Sequence, residues 1–419
     1  GFGGRFRPVT PVVDGTVDCR PHLSVRPCRE ANVTAVRGWN ARHPRVGAAR
    51  WSRRMIRIVG LLLAMLVAAG CAATESPVAD DVATSGSAGS RDDAVGPLDP
   101  VGGSGSDARS EGDDSADGDH VADPAEVGAN ELGRIPVIMY HRIVADGSEY
   151  DTSPAAFRAE LTMLADRGYR PIRAVDLVDG DIDLPAGTTP VVLTFDDSSP
   201  TQFALAPDGR VVSETAVGIL HDVAASREGF TPTGSFYVLD HPFGASGDHA
   251  ADLLRALADL GFEIGNHTAG HDNLSRLDPA GVQAALAAGV RAIRGVLEDA
   301  PVRTLSLPFG AFPADRGLAH RGSADGIVYQ HDGILLVGSG PAHSPFHRDF
   351  DPHAIPRIRS DPEFDAEGEP DFGSGYWLWQ LEQEPGTRYV SDGDPSVISF
   401  PAARGADLAD AHADRANPY

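Results

Sequence analysis

From Arg134 onward the sequence predicts an α/β fold in which parallel strands alternate with helices and close into a (β/α) barrel. Two observations carry this. Apolar runs of strand length alternate with helix-patterned segments of the size that parallel βα units use. Residues able to do chemistry follow those runs, as they do at the carboxyl ends of barrel strands.

The elements follow in order. Residues 135–140 read as a buried strand. Ser153 is a helix N-cap with Pro154 at the first helical position; Phe157, Leu161 and Leu164 form an apolar stripe, and Gly168 closes the helix. Residues 190–195 are a second strand that ends abruptly in Asp196 and Asp197. A helix over 214–226, a strand over 234–239 and a helix over 250–260 capped by Gly261 come next. Residues 262–265 form a short strand, Asp278 and Pro279 open a helix reaching to about Leu297, and 304–307 and 334–337 are further strands. Residues 401–419 read as a polar tail, which places the domain at 134–400.

The sequence before the domain is of a different kind. Met55 to Arg57 supply a start and a positive charge, residues 58–67 are apolar, and Ala68, Ala69 and Gly70 precede Cys71. This resembles a lipoprotein signal over 55–70 with Cys71 as the lipidation site, and the apolar run is short of the roughly 20 residues of a membrane span. Residues 1–54, rich in arginine and proline and without apolar periodicity, read as upstream sequence absent from the mature protein. Residues 71–133 are dominated by Ser, Gly, Ala and Asp and read as a disordered acidic tether. The expected location is extracytoplasmic, on the membrane through the lipid at Cys71, and a monomer is expected.

A net charge of −25 argues against nucleic acid as a partner. Cys19, Cys28 and Cys71 all precede the domain, which leaves it without an internal disulfide or a thiolate nucleophile. Its chemistry therefore falls to oxygen and nitrogen. Adjacent acids such as Asp196 and Asp197 are common in solvated turns, but an apolar run leading directly into the pair favours a functional reading. His267 and His271, spaced i and i+4, lie on one face if helical and suit a single ion, though two solvated turn histidines give the same spacing. One Asp with two His gives three ligands and an open position, as in catalytic sites.

Thr194-Phe195-Asp196-Asp197, His267-Thr268-Ala269-Gly270-His271 and Leu307-Pro308-Phe309-Gly310 resemble the first three motifs of the polysaccharide deacetylases, the NodB-homology group of carbohydrate esterases. The opening Val137 to His141 is similar to the poly-N-acetylglucosamine deacetylase branch. The resemblance implies a distorted (β/α) barrel that removes acetyl groups from N-acetylglucosamine polymers or related glycans. It implies Asp196 as general base and Asp197, His267 and His271 as metal ligands. His141 is the candidate general acid, or else a polar histidine ending a strand, and the Pro308-Phe309 backbone is a candidate oxyanion or substrate contact. Zinc is the default ion from ligand type; cobalt, manganese or nickel would also suit.

Three departures accompany the resemblance. Ser198 stands where the family usually has glycine. Ser306 occupies the place of an arginine that orients the catalytic aspartate, so that support is missing or comes from elsewhere, with Arg357 one candidate and a surface ion pair its commoner fate. The late Leu-x-His motif has no good match, His331 being a poor substitute. The alternatives to N-deacetylation are an acetyl-xylan-type esterase and a catalytically weak glycan-binding lipoprotein. Trp377 and Trp379, His241 and His249, and the Asn266 sequon read as packing, loop or coincidence.

Overall fold

The computed structural model describes residues 122–338, 340–364 and 372–419. The readings made for residues 1–54, 55–70 and Cys71, and for most of the tether, lie outside the described residues.

Eight strands build the barrel: β1 (Val137–Tyr140), β2 (Tyr169–Ile172), β3 (Thr189–Phe195), β4 (Ser235–Val238), β5 (Glu263–Asn266), β6 (Thr304–Ser306), β7 (Gly333–Leu335) and β8 (Ile358–Arg359). They pair in parallel in the order β7-β6-β5-β4-β3-β1-β8, with β2 beside the first half of β3. An isolated parallel bridge from Leu335 to Ile355, three residues before β8, joins the two ends of this curled sheet. The cylinder is thus closed but distorted, since one stretch of chain, 355–359, supplies both closing contacts.

Helices α1 (Pro154–Asp166), α2 (Ala174–Asp179), α3 (Ala216–Ala224), α4 (Gly247–Asp259) and α5 (Pro279–Arg294) return the chain between strands, and α6 (Ser374–Gln383) follows β8. The caps explain their starts. Ser153, Thr215 and Asp278 each accept a backbone N–H of the first turn, and Pro154 and Pro279 occupy positions where no N–H is needed. The stripes Phe157, Leu161 and Leu164 of α1, Leu253, Leu254 and Leu257 of α4, and Leu286, Val290 and Ile293 of α5 are buried in one apolar cluster with Val191, Leu193, Phe195 and Phe236 of the sheet. Strand β3 is buried along its whole length, as expected of a parallel strand covered on both faces.

Two boundaries differ from the sequence reading. The strand expected over 135–140 is split at Pro136, which has no N–H to donate: Arg134–Ile135 pairs antiparallel with Ala342–His343, and only Val137–Tyr140 joins the barrel. The folded body also exceeds 134–400 at both ends. Asn130 bridges to Val390, Leu132 is buried, and Ile398–Phe400 pairs in parallel with Ala416–Pro418. Polar composition suggested a tether and a tail there, but the segments are held by hydrogen bonds: Arg404 donates to Asn130 Oδ1 and Leu132 O, and Tyr419 Oη to Ala129 O.

Candidate active site

Side chains alternate along β3, so Val192, Thr194 and Asp196 share one face and Asp196 emerges at the strand's carboxyl end. Its backbone N–H donates to Tyr140 O, which sets β1 and β3 in register and brings His141 alongside. The backbone then turns left-handed at Asp197 (φ 71°) and Ser198 (φ 46°). A serine where glycine would be unstrained is supported by its own contacts: Ser198 Oγ accepts Leu239 N–H and Ser198 O accepts Phe243 N–H. The turn points Asp197 away from Asp196 and toward the histidines.

Those histidines are not on a helix, contrary to the i, i+4 reading. They sit in a loop after β5 with left-handed residues at Thr268 (φ 60°) and His271 (φ 54°), which brings the two rings to 5.0 Å between centroids. His267 Nδ1 lies 2.8 Å from Ser306 O, so it carries the proton and Nε2 presents its lone pair. That Nε2 is 3.3 Å from Asp197 Oδ1, and His271 Nε2 is 3.4 Å from the same oxygen. Asp197 Oδ1 and His267 Nε2 are both buried without a hydrogen-bond partner, and one donor atom from each of the three residues lies within 4.8 Å of the others. Converging, unsatisfied lone pairs of one carboxylate and two imidazoles fit a divalent transition ion.

Asp196 is 2 % exposed, and Arg357, arriving on the closing segment, is fully buried beside it. The guanidinium donates to both carboxylate oxygens, 2.8 Å to Oδ1 and 2.7 Å to Oδ2, and also to Thr194 Oγ1 and Ser306 Oγ. Ser306 Oγ in turn donates to Asp196 Oδ2 at 3.0 Å. The arginine missing at position 306 is thus replaced in space from another strand, rather than lost to a surface ion pair. Burial pushes the Asp196 carboxyl up, but Arg357 and His267 outweigh it and hold the group well below the usual carboxylate range. Burial lowers His141 and His271 below the ordinary histidine value, whereas in His267 the charges of Asp196 and Asp197 overcome burial and raise it.

These groups open into a cavity of about 490 Å³ lined by His141, Asp196, Asp197, His267, His271 and Phe309, with Arg142, Tyr150 and Asp151 on its rim. Pro308 is buried beneath it, in a turn where Phe309 adopts φ 59° and is 62 % exposed. His331 does not line the cavity; it is fully buried behind β5, between Ala319 O and the Asn266 amide. Trp377 and Trp379 belong to an aromatic group on α6, and His241 is paired with Asp240 on the surface.

Sequence reasoning passed over two supports. Gln202, fully buried, donates to both His141 O and Asp196 O. Asn266 accepts Thr268 N–H and donates to Leu286 O, tying the histidine loop to α5. Gly289 exists for this contact, because a Cβ there would stand 2.1 Å from Asn266 Oδ1. Neither residue type carries a recognisable spacing.

Fold and site define the class: a parallel (β/α) barrel with a carboxylate and imidazole pocket at its strand ends. Residues 184–321 match the family model described as polysaccharide deacetylase. It is 32 % identical over 147 residues to the chitooligosaccharide deacetylase of Bradyrhizobium sp. (strain ANU 289), covering 35 % of this chain and 57 % of that relative. The chain therefore spans a little over half the length of that curated relative. Among solved structures, Streptococcus pyogenes deacetylase PplD in complex with acetate aligns with TM-score 0.42 and 18 % identity, covering 59 % of this chain and 97 % of its own. IcaB from Ammonifex degensii aligns with TM-score 0.39 and 20 % identity, covering 55 % and 93 %.

Proposed function

We propose that this protein is a metal-dependent N-deacetylase acting on an N-acetylglucosamine-containing cell-wall or exopolysaccharide glycan. One observation carries the reading: Asp197, His267 and His271 converge on a common point while Asp196, locked by Arg357, stands beside them in the same cavity.

Asp197, His267 and His271 would hold the ion, which when bound supplies Lewis acidity toward the acetyl carbonyl and toward water. The chain's own residues do the rest. Asp196 is ionised and oriented by Arg357 and Ser306, and accepts the proton of the attacking water. His141, whose Nδ1 is buried without a partner at the cavity wall, delivers a proton to the departing amine; burial makes its proton easy to give up. The exposed Phe309 turn forms one wall against the glycan, with Tyr150 on the rim beside His141. Ser306 and the missing late Leu-x-His motif suggested a catalytically weak binding protein, and the recruitment of Arg357 to Asp196 answers the first of these. A lipid at Cys71 and an acidic tether would let such a domain work from the membrane surface into a wall.

The test is acetate release from N-acetylglucosamine oligomers by the full chain, stripped of metal and restored with zinc. The expected result is zinc-dependent release that Asp197→Ala abolishes together with zinc retention in the pocket. Asp196→Asn should keep zinc and lose roughly 100- to 10,000-fold in rate. Release from acetylated xylan but not from the amide would move the assignment to an O-deacetylase, and zinc retention with no turnover on either would sink the enzymatic reading.

A further inference from the structure

A second group of imidazole and carboxylate donors lies away from the pocket, near the amino-terminal end of β1. His343 is fixed by strand pairing, standing opposite Arg134 in the short antiparallel ladder. His347 follows in a turn whose N–H donates to Ser344 O, and its ring packs on that of His343 with centroids 4.1 Å apart. Asp349 N–H donates to His347 Nδ1 at 3.1 Å, and Asp349 Oδ2 lies 3.9 Å from that nitrogen. One donor atom of each of the three residues lies within 4.8 Å of the others.

We propose that His343, His347 and Asp349 form a second metal site, taking a zinc-like divalent transition ion beside the turn on which residues 401–419 pack. The donor set is that of zinc, cobalt or nickel rather than of magnesium or calcium, which take oxygen ligands. His343 Nδ1 is buried with no hydrogen-bond partner, which leaves a ring nitrogen of the group unsatisfied. Two guanidiniums stand nearby. Arg404 is engaged by Asp407 and Asn130, and Arg134 donates to Pro341 O, while Asp349 faces the cluster as its own counter-charge.

The position gives the ion its task. His347 bridges to Leu408, Arg348 N–H donates to Asp407 O, and Ala409 N–H donates to Phe346 O, so the ligand-bearing turn is one of the places where residues 401–419 meet the body. An ion held there would brace that turn against the strand paired with Arg134–Ile135, next to the contacts made by residues 401–419.

The proposal is tested by counting zinc in the full chain after equilibrium dialysis, with folding checked by circular dichroism. The full chain should hold one more zinc than His343→Ala/His347→Ala, and the double variant should keep its deacetylase rate. Asp197→Ala should also lose one zinc, and the two losses should add when combined. Asp349 is exposed enough that Asp349→Asn keeps the fold, and it should weaken zinc at this site at least tenfold without changing the pocket's zinc. Equal zinc content in the full chain and the double variant, or unchanged affinity in Asp349→Asn, would overturn the site whether or not the pocket proves to be a deacetylase.

Discussion

Asp196 sits where an isolated carboxylate would take up a proton, since burial alone raises its pKa. It stays ionised because a fully buried guanidinium meets it with two hydrogen bonds, and Ser306 and Thr194 satisfy the remaining donors and acceptors. Such a pair is expensive to break on one side only. Arg357→Ala should destabilise the fold by about 3–5 kcal/mol in urea denaturation, because it strands a buried charge. It should also lower the deacetylation rate by at least about 100-fold, the low end of what a positioned base contributes. Adding Asp196→Asn in that background should recover part of the stability and none of the rate. Recovery of neither would mean that Arg357 matters for packing and not for the charge of Asp196. Position 306 shows why this partner was hard to read: the serine is visible as a departure, but its replacement lies 51 residues further along, as the hydrogen bond from Arg357 to Ser306 records.

At the level of elements, the strands and helices with a clear period and a cap were legible: Ser153 and Asp278 start helices, and 190–195 ends where the acids begin. The two-residue strand Ile358–Arg359 was not, because it has no period of its own and exists only through β1 on one side and the Ile355 bridge on the other. The structure brings His267 and His271 together from a loop and not from the helix that their spacing also allows, since left-handed φ at Thr268 and His271 leaves no trace in hydrophobic pattern. The 401–419 segment failed for a further reason: its attachment is polar. Removing those residues would uncover Ile398 and Phe400, both buried, and leave Asn130 without its Arg404 partner. A truncated chain ending at Phe400 should melt several degrees lower, at about 2–4 °C per kcal/mol for a domain of this size, and an unchanged melting point would show the segment to be an ornament.

For the whole molecule, acidity has a cost that one residue makes measurable. Glu131 is buried, and burial together with the charge of Asp392 raises it from 4.5 to about 7, against the hydrogen bonds from Ser399 N–H and Tyr389 Oη. The folded chain therefore keeps this proton through a range in which the unfolded chain releases it. Stability falls as pH rises from about 4.5 to about 7 and stays reduced above that. Glu131→Gln removes the titration, so the variant should gain on the wild type by up to about 3 kcal/mol between pH 4.5 and 8. Parallel denaturation curves at the two pH values check this, and a constant difference between the proteins would refute it.

The segment 355–359 that closes the cylinder also carries Arg357, and this has a consequence for how the protein is made. A ribosome releases Asp196, Asp197, His267 and His271 well before it releases the arginine that lets Asp196 be buried as an anion. Until then the barrel lacks both its last seam and the counter-charge of Asp196, so a partly synthesised chain holds the pocket's converging donors without the partner that keeps Asp196 charged. Closure of the container and charging of Asp196 become one late event.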